Sequence, residues 1–174
     1  NVPLFACNPG GAPANVLAMH AKLGGKAAFI GKVGQDNFGF FLKKTLIDAG
    51  IDVSGLSMTK EANTTLAFVH LNEKGDRSFT FYRESGADIN LSVSDLNESI
   101  LSNCRVFHFG SVSLTDEPCR SATLEAVKKA KKAGAVISFD PNYRPLLWNN
   151  EAEAKQQIME AMPLADVVKL SEEE

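Results

Sequence analysis

The chain has 174 residues, of which 44% are hydrophobic and 22% are charged, and this composition excludes disorder and collagen-like repeats. A formal net charge of −3 argues against nucleic acid or an anionic membrane as a partner. No apolar run reaches the roughly 18 residues that a membrane-spanning helix needs. The three cysteines, Cys7, Cys104 and Cys119, lack Cys-x-x-Cys spacing, which favours reduced thiols in a cytoplasmic protein.

The first part of the chain alternates helix and strand signals. The breaker cluster at residues 10–13 leads into a helix running to Leu23, which the following glycine pair ends. Residues 27–33 predict a short buried strand. Asp36 then caps a second helix, in which one face keeps the three/four spacing of buried residues. The members of that face are Phe38, Phe41, Leu42, Thr45, Leu46 and Ala49.

The next segment predicts a β-hairpin. Residues 65–71 and 77–83 are alternating runs rich in β-branched and aromatic residues, and the five residues between them have good turn chemistry. In the second run Phe79, Phe81 and Arg83 share one face, which suggests that this face covers something polar. An exposed hairpin can also pair with a second copy by edge or face contact, so a homodimer through it is an open prediction.

From Arg105 onward the pattern is strand, helix, strand, helix, strand. The strands are predicted at residues 106–110, 136–140 and 167–170, with helices at about 117–133 and 150–162 between them. Such alternation implies parallel strands joined by right-handed crossovers. The sequence therefore predicts a layered α/β domain with one main sheet and a small antiparallel hairpin.

The carboxyl ends of the predicted parallel strands carry polar residues, and open α/β sheets bind ligands beyond those ends. The segment Asp140-Pro141-Asn142-Tyr143-Arg144 offers a carboxylate, an amide and a guanidinium, a set that suits a polyhydroxy or phosphate ligand. The alternative is a turn in which Asp140 and Asn142 bond local backbone. Ser171 and Glu174 form a capping box for a following helix, where a carboxylate could also hold Mg²⁺ through water.

Two glycines, Gly10 and Gly11, stand immediately before a helix whose first turn carries Pro13 and Asn15. Glycines let a ligand approach the backbone, and free N–H groups at a helix start suit an electron-rich partner. Asn15 would offer one donor and one acceptor to sugar hydroxyls. An ordinary helix start with a tight turn explains the same residues, so both interpretations stay open.

Six blocks of sequence carry a family resemblance that runs nearly end to end. They are Gly10-Gly11-Ala12-Pro13-Ala14-Asn15, Leu23-Gly24-Gly25, Gly31-Lys32-Val33-Gly34-Gln35-Asp36-Asn37-Phe38-Gly39, Phe81-Tyr82-Arg83, Asp140-Pro141-Asn142-Tyr143-Arg144-Pro145 and Lys169-Leu170-Ser171-Glu172-Glu173-Glu174. Together they resemble the ribokinase/PfkB carbohydrate kinase family, and within it the fructokinase branch. The resemblance implies a layered ribokinase-like α/β fold, with mainly parallel strands, flanking helices and an antiparallel β-hairpin lid at about residues 64–84.

The same resemblance implies a function and a site. The function is an ATP-dependent sugar kinase that uses ATP and Mg²⁺ and converts a monosaccharide, fructose, to fructose 6-phosphate. The implied sugar contacts are Gly10, Gly11, Asn15, Phe81, Arg83 and Arg144. The implied nucleotide contacts are Asn142, Arg144, Lys169 and Ser171, with Glu174 supporting Mg²⁺ indirectly.

Two parts of the family pattern do not occur in these 174 residues. One is the Gly-Ala-Gly-Asp motif that carries the base for the attacking hydroxyl, and the other is a sugar-gripping aspartate from the first strand. Residues 1–174 are therefore expected to form a partial ribokinase-like α/β domain that lacks the C-terminal catalytic part.

Three other functions stay open at the level of sequence. A 2-keto-3-deoxygluconate kinase would use Tyr82, Arg83 and Arg144 as partners of a substrate carboxylate. A non-catalytic module of the same fold would bind sugar or nucleotide without turnover. An α/β structural domain would use the strand-end residues only as caps and turns.

Overall fold

The computed structural model describes residues 4–71 and 77–172. The helices are α1 Ala12–Lys22, α2 Asn37–Asp48, α3 Glu98–Asn103, α4 Cys119–Lys132 and α5 Glu151–Ala161. The strands are β1 Ala27–Gly34, β2 Ile51–Thr59, β3 Leu66–Leu71, β4 Arg77–Tyr82, β5 Val106–Gly110, β6 Val136–Asp140 and β7 Val167–Val168. Within the described ranges, no helix is both long and apolar enough to cross a membrane.

The strands confirm the predicted mixture of parallel α/β units and one antiparallel hairpin. Strands β5, β6 and β7 pair in parallel in that order, β1 pairs in parallel with β2, and β3 pairs antiparallel with β4. Among the described residues the parallel strands form two hydrogen-bonded groups, whereas the prediction had one main sheet. Side chains connect the two groups, since Ile30 of β1 packs against the apolar cluster around β5 and β6.

Strand β2 was absent from the sequence-based prediction. Its middle carries Gly55 between serines and apolar residues, a composition that does not favour a strand. The structure explains this glycine, because the register of the β1–β2 pair shifts between Ala28 and Ile30, opposite this part of β2. A Cβ on Gly55 would lie 2.8 Å from the Phe29 carbonyl oxygen, so only glycine fits this close approach of the two strands.

The apolar face predicted for α2 is only partly buried. Leu46 is buried in a cluster with Val33, Ile51 and Leu56, and Leu42 and Ala49 pack against the same cluster. Phe38 and Phe41, however, remain 43% and 36% exposed, so their predicted burial is wrong. Gly39 in the first turn and Leu46 in the third are the buried residues of α2, and the two phenylalanines lie outside this contact with the strands.

The larger core lies between the β5–β6–β7 sheet and the helices α4 and α5. It is built on alternate residues of adjacent strands, and Ile137 and Phe139 are fully buried while Phe109 stacks on Phe139 with ring centroids 4.6 Å apart. The helix side is made of small and medium apolar residues: Ala126, Val127, Ala130, Ala154 and Ala161. This packing fixes the strand ends that carry the predicted site.

A partly buried ion pair ties β1 to the segment before α3, and it gives a pH-dependent contribution to stability. The Lys32 ammonium donates to Asp95 Oδ2 at 2.8 Å and also to the Asn90 carbonyl. Burial opposes ionisation of Asp95, but the hydrogen bonds from Lys32 and Ser92 outweigh it and lower the pKa of Asp95 to about 2. The folded state therefore favours the carboxylate.

We expect Asp95 to contribute about 2 kcal/mol to the free energy of unfolding above about pH 4. Because the folded pKa lies below the unfolded one, this contribution should disappear as the pH falls from about 4 to about 2. Urea unfolding of the wild type and of Asp95→Asn at a series of pH values measures it. A stability difference between the two proteins that stays constant across this range would contradict the assignment.

Candidate functional site

The glycine pair forms an open start to α1. Gly11 is the N-cap, with φ at 103° and ψ at 118°, a backbone conformation that favours glycine. Among the described residues no side chain caps this helix, and both glycines and Asn15 are exposed. A Cβ on Gly10 would meet no atom within 4 Å. The backbone and the Asn15 amide are thus exposed, and their contact with a sugar stays a prediction.

The ends of β6 and β7 bring Asp140, Asn142 and Lys169 together. The Asn142 N–H donates to Asp140 Oδ1 at 3.1 Å, and the Lys169 ammonium lies 3.4 Å from Asp140 Oδ2. Asn142 has φ at 43°, a left-handed conformation that asparagine tolerates better than most residues. The turn that the sequence left open as an alternative is therefore observed, and a ligand-binding role of its polar groups stays a prediction.

The end of β5 braces this turn from the side. Ser111 is fully buried, and its N–H and hydroxyl both donate to the Pro141 carbonyl, at 3.2 and 2.5 Å. Gly110 and Asp140 are the last paired residues of β5 and β6, and a Cβ on Gly110 would lie 3.0 Å from the Asp140 carbonyl oxygen. The turn after β6 is consequently held against β5 by backbone contacts.

His108 on β5 is hydrogen-bonded to the neighbouring strand β6. Its Nδ1 lies 3.0 Å from Ser138 Oγ on the neighbouring strand. Burial lowers the pKa of His108, and the negative charge of Asp140 opposes that effect only in part. A neutral, hydrogen-bonded imidazole is the resulting state, which does not suit a role as a charged anion receptor.

The remaining predicted nucleotide residues lie at the surface near this edge. Arg144 is exposed and donates to the Tyr143 carbonyl at 2.9 Å, and Lys169 and Ser171 are exposed as well. Glu174 lies outside the described residues, so the predicted capping box and its Mg²⁺ role have no structural description. In the described ranges no group of three His, Cys, Asp or Glu side chains could enclose a metal ion.

Arg83 is the most heavily bonded of the predicted sugar contacts. It is 8% exposed at the end of β4, where its Nε donates to Asp88 Oδ2 at 2.7 Å. Its other two nitrogens donate to Thr115 Oγ1 at 2.7 Å and to the Val112 carbonyl at 3.0 Å. Arg83 therefore joins the hairpin to the segment after β5, and its direct contact with a sugar stays a prediction.

The other side of the hairpin base is joined to β1 and α2. Asp36 accepts hydrogen bonds from the Gly39 N–H at 2.8 Å, and from the Thr64 N–H and hydroxyl at 2.7 and 2.8 Å. Burial opposes ionisation of Asp36, but these hydrogen bonds outweigh it and lower its pKa. Asn63 and Gly86 close the base between the two strands through an isolated bridge.

The two faces of the hairpin are those that the sequence predicted. Phe79 and Phe81 stack with ring centroids 5.9 Å apart on one face. The opposite face carries Phe68 and Tyr82, in edge contact at 5.5 Å. A shallow cavity of about 230 Å³ lies on this second face and is lined by Phe5, Phe68, His70, Thr80 and Tyr82. It is therefore on the side of the hairpin opposite Phe81.

Sequence reasoning missed Asp88, Thr115 and Asp116, which surround Arg83. Asp116 Oδ2 lies 3.5 Å from Arg83 Nη1, and Asp88 also accepts a hydrogen bond from Thr65. The only available signal was an acid five residues after Arg83, in a segment with turn residues. That spacing does not by itself indicate an ion pair outside a helix.

The sequence and the fold match known sugar kinases. The chain is 49% identical over 172 residues to Fructokinase-1 of Oryza sativa subsp. japonica, covering 99% of this chain and 53% of that protein. It is similar to the structure of fructokinase with bound ATP from Xylella fastidiosa, with a TM-score of 0.89 and 43% identity, covering 94% of this chain and 50% of that one.

A third similarity is to fructokinase from Vibrio cholerae O395 in its fructose, ADP and calcium ion bound form. The TM-score is 0.85 and the identity 41%, over 95% of this chain and 53% of that one. The chain thus spans about half the length of the relatives it matches. The sequence profile of the pfkB family carbohydrate kinases matches residues 1–174, and the chain belongs to that family.

Proposed function

We propose that this protein is an ATP-dependent sugar kinase that transfers phosphate to the 6-hydroxyl of fructose. The observation that carries the proposal is the similarity, at 41% identity over 95% of the chain, to a fructokinase described in its fructose and ADP bound form. The open start of α1 and the polar turn after β6 support it, because they offer separate groups for a sugar and for phosphates.

On the sugar side, the exposed Gly10 and Gly11 backbone and the Asn15 amide would bind hydroxyl groups. Phe81 would lie against the apolar face of the ring, as aromatic side chains of sugar sites do through C–H and dispersion contacts. Arg83 and Arg144 would reach the polar groups of the ligand or position the residues that do.

On the nucleotide side, Asn142, Arg144, Lys169 and Ser171 would contact the phosphates. Two cationic side chains and two neutral donors suit a polyanion, and the exposed Lys169 lies beside the turn that holds Asn142. The Asp140 carboxylate at this edge is an oxygen donor that fits the hard Mg²⁺ ion, and the family resemblance implies a second one, the Glu174 carboxylate acting through water. When bound with ATP, Mg²⁺ would neutralise charge on the phosphates.

The direct test is coupled ADP release by the complete gene product with fructose and Mg-ATP. Fructose-dependent release of ADP is expected, and absence of turnover on every hexose, ribose or sugar acid would refute the proposal. The complete product is needed because the Gly-Ala-Gly-Asp motif expected to carry the base does not occur in these 174 residues.

The Asn142 side chain gives a sharper test of the nucleotide side. Asn142→Gly removes the carboxamide but keeps a residue that adopts the left-handed φ of 43° without strain. We expect ATP affinity to fall by about tenfold, the value of one hydrogen bond to a charged group, while the melting temperature hardly changes. Calorimetry with Mg-ATP measures the affinity, and an unchanged Kd would remove Asn142 from the site.

Two further assignments stay predictions. Val69 and Phe79 are exposed opposite each other at a point farther from the hairpin base than Phe81, which supports pairing of two hairpins there in a homodimer. Sedimentation of the wild type and of Val69→Lys checks this, and an unchanged monomeric mass for both would contradict it.

A cytoplasmic location is consistent with the free cysteines Cys7, Cys104 and Cys119, and detection of the protein in another compartment would overturn it.

A further inference from the structure

The charge around Arg83 bears on which sugar the site accepts. A guanidinium in line with the aromatic face of the hairpin invites the interpretation that it binds a substrate carboxylate. In the structure, however, Arg83 Nε is 2.7 Å from Asp88 Oδ2, and Nη1 is 3.5 Å from Asp116 Oδ2. The single positive charge of Arg83 therefore faces two negative charges of the protein itself.

We propose that Asp88 makes the sugar site select a neutral sugar over a sugar acid, by neutralising Arg83. This inference rests on the proposed function, since it takes the hairpin face that carries Phe81 and Arg83 to be the one over the sugar. Asp88 has a positioning role in this inference, because it acts through the guanidinium of Arg83. Its carboxylate sets the direction of the guanidinium and offsets its positive charge.

Accessibility supports the proposal. Arg83 is 8% exposed, whereas the side chains of Asp88 and Asp116 are 37% and 44% exposed. A ligand that approaches this cluster consequently meets carboxylate oxygens before it meets the guanidinium. The remaining nitrogens of Arg83 are bonded to Thr115 and to the Val112 carbonyl, so they offer no free fork to a second carboxylate.

The chemistry of the two ligand classes then separates them. Hydroxyl groups of a neutral sugar donate hydrogen bonds, and carboxylate oxygens of the protein accept them. A sugar acid brings a carboxylate that only accepts hydrogen bonds, and it meets a cluster with a net charge of one negative unit. Repulsion between like charges in a partly shielded site disfavours the acid.

Replacing Asp88 with asparagine removes the charge and keeps the shape. The amide oxygen can still accept the hydrogen bond from Arg83 Nε. The amide nitrogen can donate to the Thr65 hydroxyl, which in the wild type donates to Asp88. Arg83 loses its nearest counter-charge, so the cluster of Arg83, residue 88 and Asp116 becomes neutral and repels a substrate carboxylate less. The variant therefore tests charge rather than packing.

The experiment compares fructose with 2-keto-3-deoxygluconate in the complete gene product, with Mg-ATP in excess. For Asp88→Asn we expect the ratio of kcat/KM for the acid to that for fructose to rise about tenfold or more. The inhibition constant of the acid against fructose should fall in parallel. A purely structural role of Asp88 would lower both kcat/KM values and leave their ratio unchanged.

Asp95→Asn is the matched control, because it also removes a carboxylate from an ion pair but has no contact with Arg83. For Asp95→Asn, the ratio of kcat/KM for the acid to kcat/KM for fructose should equal that of the wild type. If Asp88→Asn does not fold, Asp116→Asn removes the more distant carboxylate and should shift the ratio in the same direction by a smaller factor.

Two results would overturn the inference: an unchanged ratio of the two kcat/KM values in a folded Asp88→Asn, or a wild type that already prefers the acid. Fructose turnover by the wild type would still uphold the proposed function in either case. If the wild type phosphorylates no sugar, the proposed function fails. The inference is then decided separately by calorimetric affinities of the wild type and Asp88→Asn for the acid, and equal affinities would overturn it.

Discussion

Replacing Gly39 with alanine is expected to lower the free energy of unfolding by about 3 kcal/mol or more. A Cβ at this position would lie 2.0 Å from the Gly34 carbonyl oxygen and 3.0 Å from Thr64 Oγ1. The nearer atom belongs to the backbone and cannot turn aside, so α2 would have to move away from β1. That movement would also break the hydrogen bond from the Gly39 N–H to Asp36.

Urea unfolding measures this effect, and Gly50→Ala is its control. Gly50 has φ at 77°, but a Cβ there meets no atom within 4 Å, so alanine adds only backbone strain of about 1 kcal/mol. If the two substitutions cost the same, crowding at Gly39 is not the cause and the close approach of α2 to β1 is misassigned.

The second large effect is expected for Phe139→Ala, which should cost about 3 to 5 kcal/mol. Phe139 is fully buried in the middle of the β5–β6–β7 sheet, where its ring stacks on Phe109. Alanine would leave a cavity between this sheet and the helices that cover it. Because the Phe139 carbonyl accepts a hydrogen bond from the Lys169 N–H at 2.9 Å, loosening of β6 should also reach the nucleotide edge.

Thermal and urea unfolding of Phe139→Ala measure the loss. Val136→Ala is the matched control, because Val136 is an apolar residue of the same strand that is 44% exposed, and its truncation should cost less than 1 kcal/mol. Equal losses for the two variants would show that the core is not where the structure has it.

Local patterns were enough to predict the hairpin, the strands β5 and β6 and the helices α1, α2 and α4. Each was marked by an apolar or alternating pattern, by the order of strands and helices, or by a recognisable start or stop, such as the cap that Asp36 provides for α2. Strand β2 escaped prediction because Gly55 is required by the neighbouring strand, a condition that no local pattern expresses. The exposed Phe38 and Phe41 show the opposite error, since their spacing indicates a buried face that the fold does not provide.

The candidate site also has features that the sequence located and features that it did not. The open helix start at Gly11 and the polar turn after β6 could be located from the sequence, because breaker residues and strand ends mark them. The partners of Arg83 could not, since Thr115 lies 32 residues away and is joined to it only by the folding of β5. The pair of Asp36 and Thr64, 28 residues apart, is hidden for the same reason.

Two sets of hydrogen bonds tie the base of the hairpin to the α/β part of the fold. One strand is anchored to α2 through Thr64 and Asp36, and the other to the segment after β5 through Arg83. The bridge between Asn63 and Gly86 joins the two anchors to each other. A rigid rotation of β3 and β4 about this base would break these hydrogen bonds, so the base of the hairpin is fixed to the rest of the described fold through both of its strands.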